Sequence, residues 1–357
     1  MSNTLGNILR LTTFGESHGP AIGGVLDGCP PGIRIEEKSI QHELGRRSPG
    51  NQFFSSSRKE PDKVEFLSGL LKGCSTGAPI AFIVRNKNAK PTEYDHLKDL
   101  YRPSHADFSW EQKFGVRDAS GGGRSSARVL LPCVVGGAIA NGILKKFHCS
   151  VLAWVSAIGP YSHEVRGKVS QYAIESSPVR CPDDMTTQKI LSWLKETHAR
   201  GDTAGGIITC RISGCPAGLG EPVFHKLQAA LAHAMMNINS VKGFEYGSGF
   251  SASRMKGSEH NDVFTMKGGQ IRTLTNHDGG IQGGISNGED IIFRVGFKPV
   301  PSIGMMQETV NSKRKKTNMR VSGRHDVCVV PRAVPIIEAM ARLIIADHFL
   351  MQKTRSM

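Results

Sequence analysis

Aromatic residues make up only 6% of the 357-residue chain, and its basic residues do not interleave with them. A base-stacking surface for single-stranded nucleic acid is therefore excluded. Zinc-finger spacing and RNA-binding aromatic motifs are also missing. The eight cysteines, at 29, 74, 133, 149, 181, 210, 215 and 328, form no CxxC pair. The nearest two, Cys210 and Cys215, match no zinc spacing. The N-terminal stretch "MSNTLGNILRLTTFGESHG" lacks the apolar core of a signal peptide, and no apolar run reaches membrane-spanning length. We therefore expect reduced, mostly buried thiols in a cytoplasmic protein with no membrane partner. Walker A and HExxH patterns are absent, which removes the commonest nucleotide and zinc-protease readings. No repeat or linker divides the chain, so residues 1–357 are expected to form a single domain.

What the chain has in excess is positive charge and glycine. The formal net charge is +14, glycine numbers 41, and hydrophobic residues are 39% of the total. A core of useful size is within reach without staples. The charge suits a polyanionic partner: nucleic acid, an anionic surface or a small polyanionic substrate. Only "KRKK" at 313–316 resembles a nucleic-acid patch, and one short run reads better as a solvated loop. No nucleic-acid partner is expected.

Periodicity places helices near 36–44, 132–146, 185–199, 223–238 and 335–351. The first is expected to end at Gly45, the fourth to begin after Pro222, and the last to start at Pro335. Strands are expected over 63–71, 78–86, 151–159, 205–213 and 289–298. Residues 86–125 read as a long polar loop, a length uncommon unless it carries function. Helices and strands alternate irregularly, so α/β and α+β both remain open.

Two motifs mislead. "GESHG" at 15–19 matches a nucleophile elbow and would make Ser17 the nucleophile of a serine hydrolase. Its context argues against that: few residues precede it, and "PAIGGVLDGCPPG" is poor helix material. "GSGFSA" at 247–252 fits a loose dinucleotide pattern but lacks the strand and helix that would support it.

Other motifs converge. "SGGGRSSAR" at 120–128 sets three glycines before two arginines and two serines. Bare backbone approaches a ligand closely, and paired guanidiniums suit phosphate or carboxylate. We prefer an anion site here; the plainer alternative is a capped helix with surface arginines. "GRRSPG" at 45–50, "RPSHAD" at 102–107 and "SGRHDVC" at 322–328 add further arginines with His105, His325 and Asp326. Four such segments point to one cationic pocket containing acid–base groups.

Together with "TTFGESHG", "DGCPPGI", "PAGLGEPVF", "NINSVKG", "NHDGGIQGGISNG" and "FKPVPSI", these segments resemble the chorismate synthase family from about residue 4 to the C-terminal helix. The resemblance implies an α+β sandwich, β-α-β-α, of antiparallel sheets packed around central helices. It implies a lyase that converts 5-enolpyruvylshikimate 3-phosphate to chorismate and phosphate by 1,4-anti elimination, with reduced FMN as cofactor. It further implies a homotetramer.

Residue by residue, the resemblance implies catalytic roles for His18, His105 and Asp326. His18 would protonate the departing phosphate, His105 would lie near the flavin, and Asp326 would assist proton transfer. Arg124, Ser125, Ser126, Asn239, Ser240, Gly283, Lys298, Pro299, Val300, Pro301, Ser302 and Arg324 would contact FMN. Arg46, Arg47, Arg128 and Arg332 would contact substrate. The chain departs from the family pattern at Ser48 and Phe53, where arginines are often found, at Ser104 for glycine, and at Val327 for proline. Loss of the two arginines puts in doubt a nicotinamide contact, and an external flavin reductase is the expected partner.

Overall fold

A computed structural model of the protein describes residues 3–50, 52–56, 60–88, 97–119, 121–165, 167–321 and 326–355. Two five-stranded antiparallel sheets dominate. The first runs in the order Thr4–Leu5, Arg10–Gly15, Ala21–Asp27, Ile80–Arg85, Val64–Phe66. The second runs Val241–Tyr246, Ile291–Phe297, Gly206–Ser213, Ser150–Ile158, Tyr161–Ser162. The strand Ile291–Phe297 shows why they pack. Ile291, Phe293, Val295 and Phe297 are buried, while the residues between them are partly exposed, so one face turns to the core.

Two helices lie between the sheets. Leu131–Lys145 packs on the strands Arg10–Gly15 and Ala21–Asp27 of the first sheet. The C-terminal helix, Val330–Lys353, packs on Ser150–Ile158 and Gly206–Ser213 of the second. The helices also pack on each other. A Cβ on Gly137 would come within 2.4 Å of Ala339 Cα, so only glycine permits this close approach. Each buried Leu, Ile or Val in this layer contributes roughly 1.5–3 kcal/mol. The expected α+β architecture of antiparallel sheets around central helices is therefore present. One hydrophobic cluster runs from Leu9 to Phe349.

The segment Ala127–Lys145 corrects one sequence expectation. Its 19 residues are long and apolar enough to cross a membrane by length and composition, but its apolar window is 72% buried inside the protein. The eight cysteines are free, and all but Cys74 are buried.

Element boundaries shift for local reasons. The first helix, Glu37–Arg47, continues through Gly45. The helix expected from 223 begins at Leu227, because Phe224 adopts φ +59°, which no helix accommodates. The C-terminal helix starts at Val330, so Pro335 lies inside it. A proline there leaves the carbonyl four residues earlier without its helical donor; that carbonyl, of Pro331, accepts from Arg180 Nη1 instead. Within the supposed polar loop, Asp107–Phe114 forms a helix that closes on Gly115 at φ 70°. "KRKK" lies at the exposed turn of the hairpin Met306–Val310/Lys316–Arg320.

The chain ends are joined. Asp347 on the C-terminal helix accepts from the amides of Asn7, Ile8 and Leu9 at 2.8, 2.8 and 2.9 Å.

Candidate active site

"GESHG" leaves the strand Arg10–Gly15 and turns into the strand Ala21–Asp27. It is the turn of a hairpin, without the helix an elbow requires. Ser17 is 1% exposed, so it does not present a nucleophile, and the hydrolase reading has no support. Its hydroxyl instead lies 3.0 Å from His18 Nδ1. The imidazole rests on the glycine run: a Cβ on Gly121 would lie 2.2 Å from His18 Cε1, and Gly121 itself has φ +70°. The first use of "GGG" is thus a seat for a histidine.

Asn86 braces the same turn. Its Nδ2 donates to the carbonyls of Glu16 and Gly19 at 3.0 and 2.7 Å. Its Oδ1 accepts from Arg128 Nε at 2.7 Å. Through Asn86 the His18 turn is tied to a cluster of three expected substrate arginines. Arg128 Nη2 donates to Asp62 Oδ1 at 2.8 Å, and Arg47 Nη1 donates to Asp62 Oδ2 at 3.2 Å. Arg332 Nε donates to the Arg47 carbonyl at 3.2 Å, while its Nη1 bonds both oxygens of Asp326 at 2.8 and 2.7 Å. Asp326 also accepts from the Ser56 amide at 2.8 Å.

Arg47 is 5% exposed, and its Nε has no hydrogen-bond partner among the described residues. Burial first, then repulsion from Arg332 and Arg128, push its guanidinium down to about 9 despite Asp62 and Asp326. A buried cation crowded by cations is a site prepared for an anion.

Arg46, expected beside Arg47 as a substrate contact, is placed elsewhere. Successive helical residues diverge by about 100°, and Arg46 turns into the protein. Its side chain is bonded to Glu43 at 2.7 Å, Glu175 at 2.6 Å and Glu338 at 2.6 Å. Burial opposes its charge, but Glu338, Glu43 and Glu175 hold it above its ordinary value. Those carboxylates occupy the guanidinium in the helical layer.

Several of the residues expected to hold flavin are linked by hydrogen bonds. Ser125 donates to the Gly122 carbonyl at 2.6 Å, and its own carbonyl accepts from Asn239 Nδ2 at 2.7 Å. Ser126 caps the short 3-10 turn Ala127–Leu130, so the capping alternative holds for that hydroxyl. Arg124 reaches back to the strand before His18, bonding Thr13 Oγ1 at 2.8 Å and the Gly15 carbonyl at 3.2 Å. Ser240 accepts from the Lys298 amide at 2.9 Å. Lys298 Nζ donates to the Ser104 carbonyl at 2.9 Å, and His105 Nε2 lies 2.9 Å from Ser302 Oγ. Val300 accepts from Thr203; Pro299 is exposed and Pro301 half-buried. Gly283 is exposed, with φ +62° and open space where a Cβ would be. Arg324 and His325 lie outside the described residues.

A cavity of about 230 Å³ opens beside this group, lined by Glu16, Trp110, Arg117, Asp118, Gly123 and Arg124 among others. Asp107 anchors its wall. Burial raises that carboxyl, but hydrogen bonds from Arg102 and the charge of Arg117 outweigh it and hold the group below the usual carboxylate range. Sequence reasoning did not find Asp62, Asn86 or Trp110 as site residues. "EPDKVEF" and "VRNKN" carry no local signature, and only their proximity to Arg128 reveals them.

Comparisons with known proteins place the whole chain in one family. The family model described as chorismate synthase matches residues 9–350. The chain is 53% identical over 355 residues to a chorismate synthase of Phocaeicola vulgatus, with 99% of each chain covered. It is 46% identical over 359 residues to one of Prochlorococcus marinus, covering 99% of this chain and 98% of the other. A crystal structure of chorismate synthase superposes with a TM-score of 0.77 at 28% identity, covering 97% of this chain and 93% of that one. Matched along nearly its whole length in both sequence and fold, the chain belongs to the chorismate synthase family, the lyases of the last shikimate step.

Proposed function

We propose that this chain eliminates phosphate from 5-enolpyruvylshikimate 3-phosphate to give chorismate, and does so with reduced FMN. The observation that carries this reading is the Arg47–Arg128–Arg332 cluster, where a buried guanidinium is crowded by two others. A substrate bearing a phosphate and two carboxylates supplies the anions such a cluster favours.

The residues present fit a flavin phosphate and ring. Lys298, Arg124 and the hydroxyl of Ser302 supply donors, and Gly283 leaves open the space a side chain would fill. When bound, reduced FMN would supply electron density as the C–O bond breaks. Asn239, Ser240, Lys298 and Ser302 would hold it, with His105 kept in place by its contact to Ser302. As an imidazolium, His18 would donate its Nδ1 proton to Ser17 Oγ and hold its second proton on Nε2, the atom that would deliver it to the departing phosphate oxygen and leave a neutral ring. Asp326, held by Arg332 and Ser56, would receive or relay a proton at its carboxylate.

The same reading carries one domain over the whole chain, a homotetramer and a cytoplasmic location; the continuous hydrophobic cluster supports the first. It also carries an external source of reduced flavin. Phe53 stands where an arginine is frequent and packs at 5.3 Å on Phe54 and 6.2 Å on His198, so its side chain offers no cation to a nicotinamide nucleotide.

The test is anaerobic turnover with chemically reduced FMN, against oxidised FMN plus NADPH. Chorismate formed only with reduced flavin supports both the lyase and the external reductase. Chorismate in both reactions removes the reductase, and chorismate in neither, from folded protein, removes the proposed function.

A further inference from the structure

Asp62 has no role in the reading above, yet it sits where that reading needs a decision. Its carboxylate is 2% exposed, and each oxygen serves a different arginine. Oδ1 accepts from Arg128 at 2.8 Å, and Oδ2 accepts from Arg47 at 3.2 Å. Ser48 Oγ donates to the same Oδ2 at 3.2 Å. The Asp62 carbonyl accepts from Gln41 Nε2 at 3.2 Å, so both ends of the residue are held from the first helix. Its backbone lies at φ +40°, a conformation that costs a non-glycine residue about 1–3 kcal/mol and persists where the surroundings demand it.

The two arginines come from distant segments: Arg47 ends the first helix, and Arg128 lies in the 3-10 turn before the central helix. One carboxylate between two guanidiniums sets their separation. Glu60 approaches Arg128 Nη2 at 3.6 Å. Asp62 is the carboxylate that hydrogen-bonds Arg47.

We propose that Asp62 is a positioning residue that fixes Arg47 and Arg128 as one anion-binding unit. This rests on the reading of those arginines as substrate contacts. It has a consequence that a purely structural role lacks. Arg332 and Asp326 face Arg47 from the C-terminal side, Arg128 from the turn and Asp62 from the segment before the strand Val64–Phe66. Arg332 and Arg128 lower the affinity of Arg47 for its proton, whereas Asp62 and Asp326 raise it. Without the Asp62 carboxylate, Arg47 and Arg128 share no acceptor and are no longer set at one separation, so the pair binds the substrate's anions less well while the reacting groups stay in place.

The experiment is anaerobic steady-state turnover of the full chain with reduced FMN, read as KM and kcat separately. Three variants are compared: Asp62→Asn, Asp62→Glu and Arg47→Lys. The expected result for Asp62→Asn is a substrate KM raised about tenfold or more, with kcat within about threefold of wild type. Asp62→Glu keeps the charge and changes the reach, so its KM rises less. A wild-type KM in Asp62→Asn, or a kcat that falls as far as KM rises, would overturn the proposal. Should that variant not fold, a wild-type KM in Asp62→Glu overturns it instead. Wild-type kinetics in Arg47→Lys would remove the underlying reading of Arg47. An impaired Arg47→Lys beside an unaltered Asp62→Asn removes the role of Asp62 alone.

Discussion

Arg46 and Arg47 are neighbours on the last turn of one helix, and both are buried. Arg46 is enclosed by Glu43, Glu175 and Glu338, which hold its charge firmly. Arg47 shares Asp62 with Arg128, is crowded by Arg332, and is pushed down to about 9. Burial penalises both cations, so the neighbours decide between them. A cation closed in by anions joins elements of the fold. A cation crowded by cations gains from an external anion. Burial or residue type alone does not separate scaffold from site here.

The comparison breaks first, and by the largest effect, at Glu338. Glu338→Gln leaves Arg46 undercompensated in the helical layer and should lower stability by about 3–5 kcal/mol, measured by denaturant unfolding. Stability near the wild-type value would mean that the Arg46 cage holds nothing together. Next is Arg47→Ala, which should lower kcat/KM roughly a hundredfold or more while leaving the unfolding midpoint close to wild type. A large stability loss with modest kinetic change would move Arg47 into the same class as Arg46.

A pH profile sharpens the contrast once lysine replaces each arginine. A lysine amine in the buried, cation-crowded place of Arg47 gives up its proton far more readily than a guanidinium. The kcat/KM of Arg47→Lys should therefore fall at a lower pH than that of wild type, whereas Arg46→Lys, ringed by carboxylates, should leave the profile in place. Superimposable profiles for wild type and Arg47→Lys would contradict the crowding of Arg47. The smallest expected effect is at Gly45, just before the pair. Its backbone is helical and nothing lies within 4 Å of an added Cβ. Gly45→Ala should add about 0.5–1 kcal/mol of stability with unchanged turnover; reduced turnover would show that the site needs a looser helix end.

Much of the site was legible as sequence because its chemistry lies in short runs. "GESHG", "GGGRSSAR", "RPSHAD" and "FKPVPS" each keep their reactive groups within a few residues, and the fold links them through Asn86, Asn239 and Lys298. The arginine doublet was not separable. Expecting the helix to end at Gly45 removed the helical geometry that sends Arg46 and Arg47 in different directions. The central helix and the strands Ile80–Arg85, Ser150–Ile158, Gly206–Ser213 and Ile291–Phe297 follow apolar runs and lie nearly where expected, whereas Val241–Tyr246 was not expected as a strand. The C-terminal helix was cut short at Pro335, since its rescue comes from Arg180, far away in the chain. Asp62 and Asn86 have no local pattern at all, because their roles exist only once three segments meet.

The bond between Asp347 and the amides of residues 7–9 carries a consequence for synthesis. The ribosome makes His18, Arg46, Arg47 and Arg128 early, yet Asp326, Arg332 and Glu338, which hold or face the arginines, and Asp347, which holds residues 7–9, are made last. A nascent chain holding its first 130 or so residues has most of the reactive groups and none of these late supports. The helix Leu131–Lys145 then covers the first sheet, but its own other face stays uncovered until the final helix emerges. Long-range closure of this kind is slow and leaves partly folded chains prone to association. A truncation that removes the C-terminal helix should therefore yield aggregated chain rather than a weakly active enzyme.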